Sequence, residues 1–317
     1  MTSNAAGAKG FYPAVAGWGT EDWPHSQYTM WTSGGIPLGG IVQLRQDQMQ
    51  QGMRSAWMPY IEAGDVDETA RKAASIGGRV LFGPQDIPGT GRFAVIGDPQ
   101  GAVFAIYHSL SPSEGFDGDP IPGRFAWHEL TTTDYRGALE FYRRLFGWED
   151  TGSFDMEVGP YQMYGMKGKS FGGMFNRTPE MGNMPPFWLC YIAVPDLNKA
   201  VAAAKKNGGK LLNGPMEVPG GGWIAVLNDP QGAMFALFKP APEDAAPQRT
   251  SRKSAGRSAP RKGAARKPAA KKAKKAKKAK KAARKKPAKK PNRKKTAPKK
   301  KTKTRARKPA AGRKKRR

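Results

Sequence analysis

The chain has 317 residues, a formal net charge of +30 and a single cysteine. Of its 55 Lys and Arg residues, 36 lie in residues 241–317 beside two acidic residues, which leaves 19 basic and 23 acidic residues, a net charge of −4, for residues 1–240. These numbers exclude an intramolecular disulfide and a uniformly basic globular surface. They indicate a mildly acidic folded body joined to a polycation.

The first predicted element is a helix that begins beside Ser3 and carries Pro13 in its last turn. A proline at that position should kink the helix rather than abolish it. The helix ends with Phe11-Tyr12 and Gly17-Trp18, and both pairs recur 130 residues later as Phe141-Tyr142 and Gly147-Trp148.

The body contains an internal duplication. Gly83–Gly89 recurs as Gly214–Gly220 at a shift of 131, and the same shift relates Asp98–Gly101 to Asp229–Gly232. Long collinear matches of this kind indicate a repeat of one structural unit rather than chance similarity.

The second repeat shows the local order of elements most clearly. Residues 124–132 alternate as a β-strand does, Asp134 is suited to cap a helix, and Gly147 is suited to end it. Further predicted elements are strands near residues 149–158, 161–168, 171–176 and 187–194, a helix over 196–206, and strands near 210–213, 223–227 and 233–239. One repeat therefore consists of two β-α-β-β-β units, which predicts an α+β fold with two tandem domains of curled mixed sheets, each with a cleft.

The first repeat lacks the strand that precedes its first helix. Two explanations are open: the domain has an exposed inner edge, or the natural start of the chain lies upstream. We favour the second, because an unpaired inner strand promotes aggregation. The predicted organisation is a first domain over residues 1–112, truncated at its N-terminus, a linker over 113–122, a second domain over 123–240 and a disordered tail over 241–317.

Paired β-α-β-β-β units, the motif Phe-Tyr-x-x-x-x-Gly-Trp, the Asp-Pro-x-Gly turn and the strand segment Trp127-His128-Glu129-Leu130 together resemble the vicinal oxygen chelate superfamily. That superfamily includes glyoxalase I, bleomycin-resistance proteins, fosfomycin-resistance enzymes and extradiol dioxygenases. The resemblance covers residues 3–240 and is closest to two-domain glyoxalase-like proteins. It implies the fold, whereas the activity stays open because the fold hosts many chemistries.

The resemblance also implies where a metal ion would be held, on the first, fourth, fifth and eighth strands. In the second repeat these positions fall at Trp127, Leu189 and Ala236, with Gly173, Met174 or Phe175 on the fourth strand. In the first repeat the later positions fall at Met58 and Ala105. A divalent ion needs three or more imidazole or oxygen ligands. We therefore expect neither a metal ion nor another cofactor in either cleft.

The predicted cleft of the second repeat is apolar and suits a small molecule. Its predicted lining consists of Trp127, Tyr161, Met163, Met174, Trp188, Leu189 and Ala236. Adjacent strand residues face opposite ways, so Glu129 shares the cleft face of Trp127 while His128 faces the helices or the other domain. A carboxylate among aromatic rings has a raised pKa and can serve as a general base. The alternatives for Glu129 are a hydrogen bond to a backbone group or an arginine, or contact with solvent. His128 is a weaker catalytic candidate, and Cys190 is expected in the core.

The tail is rich in Lys, Ala and Pro and resembles the C-terminal tail of linker histones. Without aromatic or large aliphatic side chains it should be disordered alone. Its charge density predicts sequence-independent binding of nucleic acid, DNA more than RNA, through counterion release. Polyphosphate and an acidic protein partner are the alternatives. The densest basic run comprises Lys271, Lys272, Lys274, Lys275, Lys277, Lys278, Lys280, Lys281, Arg284, Lys285 and Lys286.

Three functional hypotheses follow for a protein expected in the cytoplasm on the nucleoid. The first is a small-molecule binding module that the tail localises. The second is a glyoxalase-like lyase, hydroxylase or isomerase with Glu129 as the base. The third is a structural nucleoid protein. Membrane binding is not expected, because no apolar anchor accompanies the charge. The oligomeric state stays open.

Overall fold

A computed structural model of the chain describes residues 1–23, 28–111 and 118–242. The basic run predicted to bind nucleic acid lies outside these described residues. Among the described helices, none combines the length and the apolar character that a membrane crossing requires.

Across its described residues, the first repeat contains three helices, the second of them only five residues long, and seven strands. The elements are α1 (Ala5–Ala16), β1 (Gly19–Asp22), β2 (Thr29–Ser33), β3 (Ile36–Ile41), α2 (Gln46–Gln50), β4 (Tyr60–Glu62), α3 (Val66–Ser75), β5 (Arg79–Ile87), β6 (Gly91–Gly97) and β7 (Val103–Ser109).

The second repeat adds a strand in front of its first helix. Its elements are β8 (Phe125–Thr132), α4 (Tyr135–Phe146), β9 (Glu149–Met156), β10 (Gly159–Met166), β11 (Lys169–Asn176), a 3-10 turn (Pro179–Met181), β12 (Phe187–Ala193), α5 (Leu197–Lys206), β13 (Lys210–Glu217), β14 (Trp223–Asn228) and β15 (Met234–Lys239).

Polar caps fix where the helices begin. The predicted cap Asp134 accepts a hydrogen bond from the backbone N–H of Gly137 at 3.0 Å, and Asn4 caps α1 in the same way. Such a bond satisfies one of the backbone donors that a helix start leaves without a partner. Gly147 follows α4 in the left-handed conformation at φ 77°, which glycine adopts without steric strain.

The second repeat forms one eight-stranded mixed sheet in the order β13-β14-β15-β12-β8-β11-β10-β9. At its centre, β8 pairs antiparallel with β12 and parallel with β11. Helices α4 and α5 cover one face of this sheet. We call the opposite face the cup. The predicted α+β class with curled mixed sheets is confirmed.

The first repeat forms two smaller sheets instead of one. Their orders are β1-β2-β3 and β4-β7-β6-β5, so β3 and β4 are both terminal strands. In the second repeat their counterparts, β11 and β12, are joined by β8. This difference follows from the absence of a strand before α1 in the described residues.

The two repeats share two hydrophobic cores. One core contains α3, β6 and β7 of the first repeat with α4 of the second. The other core contains α1 and the surrounding tryptophans of the first repeat with α5, β14 and β15 of the second. Both cores therefore cross the boundary between the repeats. Residues 113–117 of the predicted linker at 113–122 lie outside the described residues.

Candidate functional site

The candidate site lies around Glu129 of β8, because the alternation of side chains along a strand places Glu129 on the cup face. Glu129 lies opposite Leu189 of β12 and Gly173 of β11, so these three positions share the cup face. Leu189, Tyr191 and Ala236 form a buried apolar cluster there, with Trp127 packed against it. A half-buried carboxylate therefore lies among aromatic and aliphatic side chains.

Two phenol groups hold Glu129. The Tyr161 hydroxyl donates to its Oε2 at 2.9 Å, and the Tyr191 hydroxyl donates to the same oxygen at 3.0 Å. The indole N–H of Trp127 donates to the Tyr161 hydroxyl at 2.8 Å. The described residues form no hydrogen bond to Oε1. The three aromatic side chains thus orient the carboxyl group through Oε2 and leave Oε1 as its other acceptor.

The surroundings shift the pKa of this carboxyl group. Burial raises the pKa of Glu129, and the hydrogen bonds from Tyr161 and Tyr191 oppose that shift without cancelling it. Burial, followed by the charge of Glu129, raises the pKa of both tyrosines well above the ordinary value, so they remain hydroxyl donors. A carboxylate with a raised pKa is suited to accept a proton from a bound molecule.

Gly173 allows Tyr161 to reach the carboxylate. A Cβ atom at position 173 would collide with the Tyr161 ring. The ring also stacks on Phe154, with 4.9 Å between ring centroids. Glycine at this point of β11 therefore gives the ring its place across the neighbouring strand.

Five of the predicted cleft residues lie on the cup face. Tyr161 and Met163 are two positions apart on β10, so strand alternation puts their side chains on the same face. The residues opposite Met163 on the two neighbouring strands are both glycines, Gly173 of β11 and Gly152 of β9. The other three, as described above, are Trp127, Leu189 and Ala236. Their contact with a ligand stays a prediction.

Two predicted cleft residues lie on the other face, which corrects the prediction for them. Met174 and Trp188 are both paired with Leu130, one residue away from Glu129 on the strand, and all three are buried in the core beneath α4. Because side chains alternate along a strand, a neighbour of a cup residue points to the helices.

His128 does not enter the cup. It is half-buried on the helix side of β8, directly opposite Cys190 of β12. Burial lowers the pKa of His128 to about 4 and raises the pKa of the Cys190 thiol to about 12, so both side chains are neutral at pH 7. The structure therefore does not bring His128 and Glu129 together as a catalytic pair. The expectation that Cys190 is buried is confirmed.

Tyr191 is a site residue that was not among those predicted from the sequence. It lies two positions after the predicted cleft residue Leu189 on the same strand, so strand alternation alone would have placed it in the cup. Its role as a donor to Glu129 needed the register between β8 and β12, in which Tyr191 is opposite Trp127. That register is set by tertiary packing.

The first repeat has a related but more open face. Tyr28 lies over Gly40 as Tyr161 lies over Gly173. Tyr60, which matches Tyr191 in the repeat, is 49% exposed, whereas Tyr191 is 4% exposed. The Nδ1 atom of His108 lies 3.0 Å from a Glu62 carboxylate oxygen near this face.

A divalent metal ion does not fit the residues of the cup. The positions nearest Glu129 on the neighbouring strands are Leu189 and Gly173, which offer no ligand atom, and one oxygen of Glu129 already accepts two phenol hydrogen bonds. Across the described residues, no group of three His, Cys, Asp or Glu side chains is close enough to hold an ion. A stable site needs at least three such ligands.

Sequence comparisons identify relatives of the whole folded body. The sequence model of the Glyoxalase/Bleomycin resistance protein/Dioxygenase superfamily matches residues 124–237. The chain is 32% identical over 248 residues to CFP32 of Mycobacterium tuberculosis, a protein provisionally named a glyoxylase, which covers 77% of this chain and 93% of the relative. It is 29% identical over 254 residues to the anthracycline biosynthesis protein DauV of Streptomyces sp. strain C5, covering 74% and 89% respectively.

Solved structures share the fold at low sequence identity. The 2,3-dioxygenase LapB of Pseudomonas sp. KL28 has a TM-score of 0.54 at 11% identity, over 76% of this chain and 90% of that one. The Mn(II)-bound glyoxalase of Novosphingobium aromaticivorans has a TM-score of 0.52 at 13% identity, over 76% and 80%. These likenesses concern the fold alone.

Proposed function

Because this chain belongs to the Glyoxalase/Bleomycin resistance protein/Dioxygenase superfamily, we propose that its second cup binds a small aromatic molecule without a metal ion and that its basic tail holds it on nucleic acid. The observation that carries the first half is the carboxyl group of Glu129, fixed by Tyr161 and Tyr191 in an apolar face. The charge of residues 241–317 carries the second half.

The geometry favours a planar ligand with a hydroxyl donor. Aromatic and aliphatic side chains around Glu129 favour an apolar ring, and Oε1 is the oxygen that can accept a hydrogen bond from its hydroxyl group. The relationship to a protein named for anthracycline biosynthesis supports an aromatic ligand of this kind.

Calorimetry with 2-naphthol tests the binding site, with 2-methylnaphthalene as the analogue that lacks a donor. We expect 2-naphthol to bind more tightly, and Glu129→Gln to weaken it by about tenfold or more, because hydrogen bonds to charged groups contribute about 1.5–3 kcal/mol. Glu140→Gln, on the exposed side of α4, is the matched control. Equal binding of both naphthalenes, or no effect of Glu129→Gln, would refute the site.

An enzyme of the glyoxalase-like class, a lyase, hydroxylase or isomerase, is the second candidate. The raised pKa of Glu129 favours it, since such a carboxylate can take a proton from a carbon or oxygen acid near neutral pH. In this case, Glu129→Gln would abolish turnover of a substrate while an analogue still bound. If the protein only binds its ligand, no candidate substrate is converted by the unmodified chain.

Salt dependence tests the tail. With about 6–10 phosphate contacts, affinity for a DNA duplex should fall about 10³–10⁵-fold between 50 and 200 mM salt. The full chain is compared with a chain that ends at residue 240, where the predicted tail begins. If the shortened chain still binds DNA at 150 mM salt, the nucleic-acid site is not in the tail.

A further inference from the structure

A groove lies between helix α4 and strand β9 of the second repeat. It has a volume of about 590 Å³, and pockets for small molecules have volumes of about 300–1,000 Å³. One wall is the stripe of α4 that carries Arg136, Leu139 and Arg143, which share a face of the helix because they are three and four residues apart. The other wall is the start of β9, with Glu149 and Asp150. We call this cavity the α4 groove.

The floor of the α4 groove is the side chain of Gln162 on β10. Gln162 lies between the cup residues Tyr161 and Met163, so strand alternation directs it to the helix side of the sheet. It is only 8% exposed. Its amide nitrogen donates to Oδ1 of Asp150 at 2.7 Å and lies 3.0 Å from the carbonyl oxygens of Gly152 and Met163. Within the part of the chain that the structure describes, nothing donates a hydrogen bond to its Oε1. The amide is therefore fixed through its nitrogen and keeps an acceptor.

The α4 wall is cationic. Arg136 donates through Nε to the Tyr135 hydroxyl at 3.1 Å, and its guanidinium group lies over that ring, 5.5 Å from the centroid. Arg143 pairs with Glu140 of its own helix, but the distance of 3.8 Å between Nη1 and Oε2 exceeds that of a hydrogen bond. Both guanidinium groups therefore keep terminal N–H groups for an anion.

The β9 wall is anionic. Oδ1 of Asp150 accepts the hydrogen bond from Gln162 and another from the backbone N–H of Gly152 at 2.8 Å. Both bonds use the same oxygen, which leaves Oδ2 for a further donor. Among residues 1–23, 28–111 and 118–242, no ion pair joins Glu149 or Asp150 to the arginines of α4. Opposite charges thus line one groove without pairing across it, and a molecule with both charges would complement both walls.

We propose that the α4 groove binds a small zwitterion whose ammonium and carboxylate groups lie at opposite ends of an aliphatic chain, as in an ω-amino acid. The carboxylate pairs with Arg136 and Arg143, and the ammonium group donates to Asp150 and to Oε1 of Gln162. The methylene chain lies along Leu139. A molecule with one charge satisfies one wall only, so charge-assisted hydrogen bonds at both ends supply the specificity. The site is separate from the cup because it lies on the helix side of the sheet.

An NMR titration of the 15N-labelled full chain with 6-aminohexanoate tests the site. Hexanoate and hexylamine each lack one of the two charges, and hexanoate also controls for attraction of a carboxylate to the basic tail. We expect saturable shifts of backbone amides in α4, β9 and β10. Affinity for 6-aminohexanoate should exceed that for either control by about fivefold, the effect of one additional partly exposed ion pair.

Two variants assign the ends of the ligand. Arg136→Gln and Asp150→Asn each remove one charge and keep a polar side chain, and each should weaken binding of 6-aminohexanoate by about fivefold. Arg136→Gln should leave hexylamine binding unchanged, and Asp150→Asn should leave hexanoate binding unchanged. Arg144→Gln is the matched control, because Arg144 is exposed on α4 but does not line the groove.

Four results would overturn the proposal. They are the absence of saturable shifts with 6-aminohexanoate, equal affinity for all three probes, shifts confined to β8 and β12, and an Arg144→Gln variant that loses as much affinity as Arg136→Gln.

Discussion

The hydroxyl group of Tyr142, in the second repeat, donates a hydrogen bond to Asp98 of the first repeat at 3.1 Å. The other carboxylate oxygen of Asp98 accepts three backbone N–H groups of its own turn, including that of Ala102 at 2.8 Å. Tyr12 of the first repeat makes the reciprocal bond to Asp229 of the second at 3.0 Å. Each helix that carries a Phe-Tyr pair, α1 and α4, therefore secures a turn in the opposite repeat.

Removing the Tyr142 hydroxyl should destabilise the protein. Tyr142→Phe leaves a carboxylate oxygen of the almost fully buried Asp98 without its donor, which costs about 1–3 kcal/mol. Urea unfolding measures the change. Tyr135→Phe, at the more exposed start of α4, is the control and should change stability by less than about 0.5 kcal/mol. Similar losses in both variants would contradict a special role for the contact between repeats.

Glu129 should make stability depend on pH in a defined direction. Its pKa in the folded protein is raised above the unfolded value, so the native state binds a proton over a pH range in which the unfolded state has released it. Within that range, above the unfolded pKa of about 4.3, stability from this group falls as pH rises.

Urea unfolding of the unmodified chain and of Glu129→Gln at several pH values isolates this effect. The stability of the unmodified chain relative to the variant should decline as the pH rises from about 4.3 through the raised folded pKa of Glu129, because glutamine does not ionise. A difference that stays constant with pH, or that grows in favour of the unmodified chain, would show that the carboxyl pKa is not raised.

Two glycines should respond to alanine in opposite ways. Gly173→Ala places a methyl group against the Tyr161 ring, which should destabilise the fold by about 1–3 kcal/mol and weaken binding in the cup. Gly10 in α1 has open space around its Cβ position, and alanine there should stabilise the helix by about 0.4–1 kcal/mol. Thermal unfolding of both variants measures the contrast. A neutral Gly173→Ala variant would mean that Tyr161 lies elsewhere.

The thiol of Cys190 should be unreactive in the folded protein. It is buried, and burial raises its pKa to about 12, so little thiolate forms at pH 8. A thiol reagent such as dithiobisnitrobenzoate should modify the native chain far more slowly than the urea-unfolded chain. Equal rates would place the sulfur at the surface.

Removal of divalent ions with a chelator should change neither the stability of the protein nor its ligand binding if the cup binds its ligand without a metal ion. We expect elemental analysis of the purified chain to find less than one divalent ion per protein, and EDTA to change neither the thermal unfolding temperature nor the affinity for 2-naphthol. One tightly held ion per protein, whose removal also abolishes binding of 2-naphthol, would contradict the prediction that Trp127, Leu189 and Ala236 leave the cup without metal ligands.

The repeat made most of the secondary structure predictable. Asp134 and Gly147 act locally, so the sequence predicted both ends of α4. The strand predicted at residues 210–213 extends to Lys210–Glu217, because Gly214-Pro215 lies within a strand with irregular register rather than at its end. Glycine and proline signal a break in a sequence, but a bulged edge strand can accommodate both.

The sequence predicted those site residues whose face of the sheet follows from strand alternation. It did not predict the contacts that depend on packing between strands. Glu129 was placed in the cup from its parity with Trp127, whereas Met174 and Trp188 were misplaced because their parity was not applied. The donors of Glu129 come from strands 32 and 62 residues away along the chain. Contacts at such separations depend on register, which local sequence does not specify.

The reciprocal tyrosine–aspartate contacts constrain how this duplicated gene can evolve. After most duplications one copy is released from selection and free to drift. Here a mutation in one Asp-Pro-Gln-Gly turn acts on a tyrosine encoded 44 codons away, and a mutation in the other acts on a tyrosine encoded 217 codons away, in each case in the sister copy. Mutations in the two halves are therefore coupled. A protein made of one half alone would contain a tyrosine and an aspartate without their hydrogen-bond partners.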